Sequence, residues 1–151
     1  MKKEETIDVL NTLVEINNDR IEGYQTASKE TVENDLKELF STLAATSERC
    51  KSDLVQEIER LGGKATEGTR TTGKFYRVWM DVKAAATGKD RKAILSSCEF
   101  GEDVAVGTYA KAQLKDELDS DVKALIKSQY DLIKADHDRI KNLRDVLVEA
   151  R

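Results

Sequence analysis

The longest run of helical periodicity in this 151-residue chain lies between Thr31 and Leu61. Apolar or small residues recur there every three or four positions, the spacing that places side chains on one face of an α-helix. They are Leu36, Leu39, Phe40, Leu43, Ser47, Cys50, Leu54, Ile58 and Leu61. Gly62 and Gly63 follow directly, and glycine commonly ends a helix. A helix over 31–61 would be about 45 Å long. A helix of that length with one apolar face predicts a helix bundle.

Three further stretches show the same spacing and predict helices over residues 4–27, 87–117 and 121–149. Ser28 to Asn34 supplies capping residues for the turn after the first helix. Thr87 with Asp90 resembles a capping box that would open the third helix. The absence of proline, the low aromatic content and the abundance of Ala, Glu, Lys and Leu also favour helices over sheets. The fold class is therefore predicted to be all-α.

The connections between these helices predict how they are arranged. A short connection makes the first two helices antiparallel. The segment 62–87 is glycine- and threonine-rich and then reads FYRVWMDVKAA, which predicts a loop followed by a short amphipathic helix. Because this connection can travel the length of a bundle, helices 2 and 3 should be parallel. Residues 1–151 are thus predicted to form a single domain, an up-down-down-up four-helix bundle with one long crossover.

Charge and composition narrow the range of partners. A net charge of −4, from 25 basic and 29 acidic residues without a basic stripe, argues against nucleic acid as a partner. No apolar run approaches the roughly 18 residues of a membrane span, and the N-terminus lacks the apolar region of a signal peptide. A cytoplasmic protein is expected. The two cysteines, Cys50 and Cys98, are expected to be reduced and buried.

A carboxylate, Glu102, interrupts the inward face of the third helix. That face consists of Leu95, Cys98, Glu102, Ala105, Tyr109 and Ala112, which follow one another at steps of three and four. An ionised carboxylate is rarely buried without a cation, a metal or several hydrogen bonds. If the helix is instead rotated, Glu99 becomes the rival inward carboxylate. The identity of the group that meets Glu102 is therefore the main question that the sequence raises.

The other helices also carry polar residues near the middle of their inward faces: Asn17, Ser47 with Cys50, and His137, the single histidine. Carboxylate-bridged metal sites in four-helix bundles use a Glu from each of two helices and a Glu-x-x-His from each of the other two. Here that spacing holds Ser47-x-x-Cys50 and Lys134-x-x-His137. The positions of such a site are present, but most of its ligand types are not.

Several segments resemble known ferritin-like bundles. LNTLVEINNDRIEGY is similar to the first helix of bacterioferritin-like proteins, with Asn17 in place of a glutamate ligand, and ERCKSDLVQEIERLGG is similar to their second helix, with Cys50 in place of the ligand histidine. The order of GYQTA, ERLGG, GKFYRVWMDVKAA, GEDVAVGTY and ADHDRIKNL resembles a bacterial family of ferritin-like four-helix-bundle proteins described as a domain of unknown function. This resemblance covers nearly the whole chain.

The resemblance places Glu102 and His137 on ferritin-type ligand positions, while Asn17, Ser47, Cys50 and Lys134 replace expected ligands. Two ligands cannot hold a di-iron pair, so ferroxidase chemistry is not expected. The first hypothesis is that a buried polar cluster replaces the metal centre and that the Lys134 ammonium balances Glu102. The proposed cluster consists of Asn17, Tyr24, Glu102, Tyr109, Lys134 and His137.

A second hypothesis is a mononuclear metal site formed by Cys50, Glu102 and His137, because thiolate, carboxylate and imidazole together suit zinc. Iron is the other candidate ion. The first hypothesis corresponds to a non-enzymatic structural or interaction protein without a cofactor, which is stress-related by analogy with ferritin-like proteins. The second hypothesis corresponds to a metal-binding or residual redox protein. A homo-oligomer is expected in either case, with a dimer as the commonest arrangement.

Overall fold

The computed structural model describes residues 2–68, 80, 84 and 90–149. The described residues contain four long α-helices: α1 (Lys3–Glu30), α2 (Asn34–Arg60), α3 (Arg91–Gln113) and α4 (Ser120–Glu149). This confirms the all-α prediction. The largest difference in bounds concerns α3, predicted over 87–117 and observed over 91–113. None of the described helices is both long enough and apolar enough to span a membrane.

The helix ends follow local chemistry, with two differences from the sequence-based prediction. Gly62 adopts a φ of 82° after the last residue of α2, and its N–H bonds to the Glu59 carbonyl at 2.9 Å, as glycine permits at a helix C-terminus. Asp90 itself caps α3, because its side chain accepts from the Lys92 and Ala93 N–H groups. It therefore precedes the helix rather than lying in its first turn, and Thr87 lies outside the described residues. Ser28 belongs to α1 rather than to the turn.

Contacts between helix ends establish the topology. Arg91, the first residue of α3, forms ion pairs with Glu33 and Asp35 at the start of α2, so α2 and α3 run parallel. Residues 31–33 connect α1 to α2, and residues 114–119 connect α3 to α4. Each of these short connections joins antiparallel helices, which pack closely against each other. The up-down-down-up bundle is thus confirmed, while the predicted extra helix falls mostly outside the described residues and stays a prediction.

The core runs along the middle of the bundle and consists of the inward faces of all four helices. Fully or nearly fully buried apolar residues fill both ends, such as Leu10, Leu36, Ile58 and Val122. Polar side chains are buried between these apolar ends: Asn17, Arg20, Ser47, Glu102, Gln129 and Asp136. The bundle therefore has an apolar core with a polar centre.

Candidate functional site

A buried ion pair between Arg20 and Glu102 lies at the centre of the bundle. Both side chains are 0% exposed. Oε1 of Glu102 accepts hydrogen bonds from Arg20 Nη2 at 2.7 Å and from Nε at 3.3 Å. Burial is the largest single influence and would lower the pKa of Arg20, but the charge and hydrogen bond of Glu102, together with Tyr24 and Asp136, outweigh it and raise this pKa above its ordinary value. The cation that balances Glu102 is therefore permanently charged.

The same guanidinium contacts the two remaining helices. Arg20 Nη1 donates to Ser47 Oγ on α2 at 2.5 Å, and Nη2 donates to Asp136 Oδ2 on α4 at 3.2 Å. Arg20 extends from α1, so one side chain bonds to groups on α2, α3 and α4. Arg20, Tyr24, Ser47, Glu102 and Asp136 are called the central cluster below.

Tyr24 completes the central cluster. Its hydroxyl donates to Oε1 of Glu102, and its ring lies 5.5 Å from the Arg20 guanidinium carbon. The ring also stacks on Phe40 at a centroid distance of 5.7 Å. Burial and the neighbouring charge of Glu102 raise the pKa of Tyr24 well above its ordinary value, so the phenol stays protonated and can donate.

A second set of buried polar groups lies next to the central cluster and is called the amide layer: Asn17, Cys50, Tyr109 and Gln129. Asn17 Nδ2 donates to the Tyr109 hydroxyl at 2.8 Å and to the Leu13 carbonyl at 2.9 Å. Tyr109 donates to Gln129 Oε1 at 2.7 Å, and Gln129 Nε2 donates to the Cys50 carbonyl at 3.0 Å. This chain of bonds again links all four helices.

Both cysteines are free and buried, as the sequence predicts. Burial raises the pKa of Cys50 to about 11, and burial together with the charge of Glu102 raises that of Cys98 further above its ordinary value. Without a metal, both are therefore neutral thiols at physiological pH and behave as small apolar residues.

Lys134 and His137 do not join Glu102 in the way the sequence suggested. The Lys134 side chain is 42% exposed, and its ammonium bonds to Asp138 at 2.6 Å. His137 bonds through Nε2 to Asp103 at 2.5 Å and through Nδ1 to Asp138 at 3.1 Å. The cation beside Glu102 is thus Arg20, and the predicted Lys134–Glu102 pair is wrong.

The structure instead groups His137 with Glu99 and Asp103. Each offers one ligand atom, and these atoms lie within 4.8 Å of one another. No other such group of three metal-binding side chains occurs among the described residues, so Cys50, Glu102 and His137 do not form one there. Glu99 was the rival carboxylate in the sequence, and here it forms an ion pair with Arg144. Glu99, Asp103 and His137 are called the α3–α4 trio below.

The helical spacing indicates where Arg20 and Asp136 lie. Arg20 follows Asn17 by three residues and precedes Tyr24 by four, which places it on the same helical face. Asp136 has the same relation to Ile133 and Ile140, both fully buried. His137, which the sequence analysis places near the core, is one residue further along, and one residue on an α-helix is a rotation of about 100°.

The central cluster does not fit a pair of metal ions. Such bundles present four carboxylates and two histidines to the metals. Among the described residues, the central cluster holds two carboxylates, Glu102 and Asp136, both bonded to Arg20, and the Ser47 hydroxyl, while the neighbouring Cys50 thiol is neutral. Oε2 of Glu102 has no hydrogen-bond partner in the described part of the chain. One free oxygen beside a permanent positive charge does not replace the missing ligands.

Several solved structures are similar to this chain in fold. The chain is similar to bacterioferritin from Desulfovibrio desulfuricans, a protein with a diiron site. The TM-score is 0.80, and the sequences are 18% identical over 97% of this chain and 82% of that one. A Dps1 mutant from Mycobacterium smegmatis gives a TM-score of 0.78 and 14% identity over 94% and 96% of the two chains.

A third similar structure is a two-domain protein from Anabaena variabilis with DJ-1/ThiJ/PfpI-like and ferritin-like domains. It has a TM-score of 0.77 and 16% identity, and the match covers all of this chain but only 39% of that protein. No curated protein matches the chain significantly. At these identities the likeness shows the fold alone. Residues 5–115 match the family described as Domain of unknown function (DUF2383), and the chain therefore belongs to this family.

Proposed function

We propose that this chain is a non-enzymatic ferritin-like bundle protein in which the Arg20 guanidinium takes the place of a metal centre. The observation that carries the proposal is the set of contacts that Arg20 makes with Ser47, Glu102 and Asp136. In a di-metal bundle, cations at the centre neutralise carboxylates from several helices. Here an internal cation has that role, so the bundle needs no metal to balance its buried carboxylates.

Electrostatics supports the proposal. A divalent ion entering the central cluster would lie beside a guanidinium that stays charged at every physiological pH. The ion would also have to displace Arg20 from Glu102. The guanidinium donates two hydrogen bonds to that carboxylate in the fully buried core. Removing one partner of such a buried pair is strongly unfavourable. The central cluster thus connects the four helices. We expect no redox chemistry from it.

The remaining parts of the proposal concern the whole protein. We expect a single bundle domain in the cytoplasm that acts through contacts of its helix faces, without nucleic acid as a partner. Phe100, Leu114 and Val146 are large apolar residues that are more than half exposed, which suits contacts between copies in a homo-oligomer. A dimer is the simplest closed arrangement. A role in stress rests on analogy with ferritin-like proteins.

Metal analysis tests the proposal. The wild type and the Glu102→Gln variant are produced in iron-supplemented and in zinc-supplemented medium, and their metal content is measured by elemental analysis. We expect equal content in both proteins, and oxidation of Fe²⁺ no faster than in protein-free buffer. A pair of iron atoms per chain that Glu102→Gln removes, with its helical circular dichroism intact, would overturn the proposal. Light scattering measures the oligomeric state in the same samples.

A further inference from the structure

The α3–α4 trio lies outside the central cluster and combines three donors on two helices. Glu99 and Asp103 are four residues apart on α3 and thus lie on the same face, one turn apart. His137 reaches them from α4, and the ligand atoms of all three lie within 4.8 Å of one another. Because α3 and α4 pack closely along their length, both sides of the group stand on rigid elements.

The histidine of the trio is oriented in the way that metal-binding histidines commonly are. His137 Nδ1 lies 3.1 Å from Asp138 Oδ1, while Nε2 faces Asp103 at 2.5 Å. Histidine ligands almost always donate their second ring N–H to a carboxylate, a carbonyl or a water, which fixes the ring and its tautomer. Lys134 in turn holds Asp138 at 2.6 Å. Asp138, which lies outside the trio, therefore orients the ring so that Nε2 faces Asp103 on α3.

Charge also favours a cation at this place. Glu99 and Asp103 together carry the two negative charges that neutralise a divalent ion. Lys134 is already paired with Asp138, so its charge is locally compensated. The cation that competes is Arg144, which forms an ion pair with Glu99 and is itself 31% exposed. Arg144 also pairs with Asp145 at 3.0 Å, so it keeps a carboxylate partner when it leaves Glu99.

We propose that the α3–α4 trio binds one divalent transition-metal ion of the zinc type. The ligands are Nε2 of His137 and a carboxylate oxygen from each of Asp103 and Glu99, with a fourth position open to water or a small ligand. One imidazole and two carboxylates suit Zn²⁺, which binds nitrogen and oxygen donors and takes three protein ligands in its open sites. Asp138 is the positioning residue of His137. The site is independent of Arg20 and Glu102.

Calorimetric titration of the chelator-stripped full chain with Zn²⁺ tests this proposal. We expect one ion per chain and a visible absorption band of tetrahedral Co²⁺ in the same site. Asp138→Asn should weaken Zn²⁺ binding about 10-fold, as is usual for loss of a histidine's carboxylate partner. His137→Asn and Asp103→Asn should weaken it by more than Asp138→Asn does. Arg144→Gln should strengthen it, because Arg144 no longer competes for Glu99.

Two control variants make the result specific. Asp131→Asn removes an exposed carboxylate of α4 that pairs with Lys127 outside the trio, and it should leave Zn²⁺ affinity unchanged. Glu102→Gln should also leave it unchanged, so a failure here is separate from a failure of the proposed function. Circular dichroism establishes that each variant is folded. The proposal is overturned if the wild type binds no stoichiometric Zn²⁺, or if folded His137→Asn and Asp103→Asn proteins bind it as tightly as the wild type.

Discussion

Arg20 directs two hydrogen bonds to a single oxygen of Glu102, from Nη2 at 2.7 Å and from Nε at 3.3 Å, with both side chains fully buried. Tyr24 donates to the same oxygen. Three donor groups therefore converge on one carboxylate oxygen of the central cluster. The energetic consequence is that the buried charge of Glu102 depends on Arg20, because removing the cation would leave that charge uncompensated.

We expect Arg20→Gln to lower the free energy of unfolding by about 3–5 kcal/mol, because it leaves Glu102 charged, buried and without its cation. Glu102→Gln should cost less, since Asp136 still balances Arg20. The double variant should cost less than the sum of the two single variants. Denaturant unfolding followed by circular dichroism measures all three. Lys127 and Asp131, an exposed pair on α4, provide the matched control cycle, with an expected coupling of about 0.3–0.5 kcal/mol. A coupling between Arg20 and Glu102 no larger than this would contradict the prediction.

Tyr109→Phe removes the hydroxyl that joins Asn17 to Gln129 in the amide layer. Both partners then lose a hydrogen bond inside the core, so we expect a loss of about 1–3 kcal/mol in the free energy of unfolding. Tyr130→Phe is a suitable control, because Tyr130 is only partly buried. Substitutions at such positions usually change stability by less than about 0.5 kcal/mol. Equal losses in the two variants would show that the amide layer contributes nothing specific.

Asp90→Ala removes the side chain that caps the first turn of α3. We expect a loss of about 1 kcal/mol, the usual cost of replacing an aspartate N-cap by alanine. Asp90→Asn should retain most of the stability, since asparagine caps about as well as aspartate. Thermal or denaturant unfolding of the three proteins provides the measurement. If Asn and Ala destabilise equally, the Asp90 charge matters more than its bonds to Lys92 and Ala93.

The Arg91–Asp35 pair gives a pH dependence of known sign. The hydrogen bond from Arg91 lowers the pKa of Asp35 below its ordinary value of 3.8, despite the opposing effect of burial. A depressed folded-state pKa adds stability above the unfolded pKa and loses it as the pH falls through the folded one. Because Asp35 is largely exposed, the contribution should be only a few tenths of a kcal/mol, within about 0–1 kcal/mol for surface pairs.

NMR titration of the Asp35 carboxyl carbon checks this directly. In the wild type the midpoint should lie below 3.8, and in Arg91→Gln it should return toward that value. An unchanged midpoint in Arg91→Gln would show that Arg91 does not hold Asp35 in solution. In that case the Arg91–Asp35 ion pair would not help to align the parallel starts of α2 and α3.

Much of the fold follows from the sequence, because apolar residues at steps of three and four predict each of the four helices. The one-crossover topology follows from the lengths of the connections. Glu102 was correctly placed on the inward face of α3, where it is fully buried. In α4, Asp136 and His137 are neighbours, and a rotation of about 100° decides which of them faces the core. The sequence favoured His137 there, whereas Asp136 is the residue that bonds to Arg20.

By itself the sequence determined four helices, their order and a buried carboxylate that needed a positive partner. Only the tertiary structure decided which cation meets Glu102. Arginine side chains normally lie at the surface, because the free energy needed to bury the charge exceeds the stabilisation from contacts within one helix. Arg20 is stable in the core because Ser47, Glu102 and Asp136 reach it from three other helices. These acceptors are 27 to 116 residues away along the chain, so no local pattern around Arg20 could reveal them.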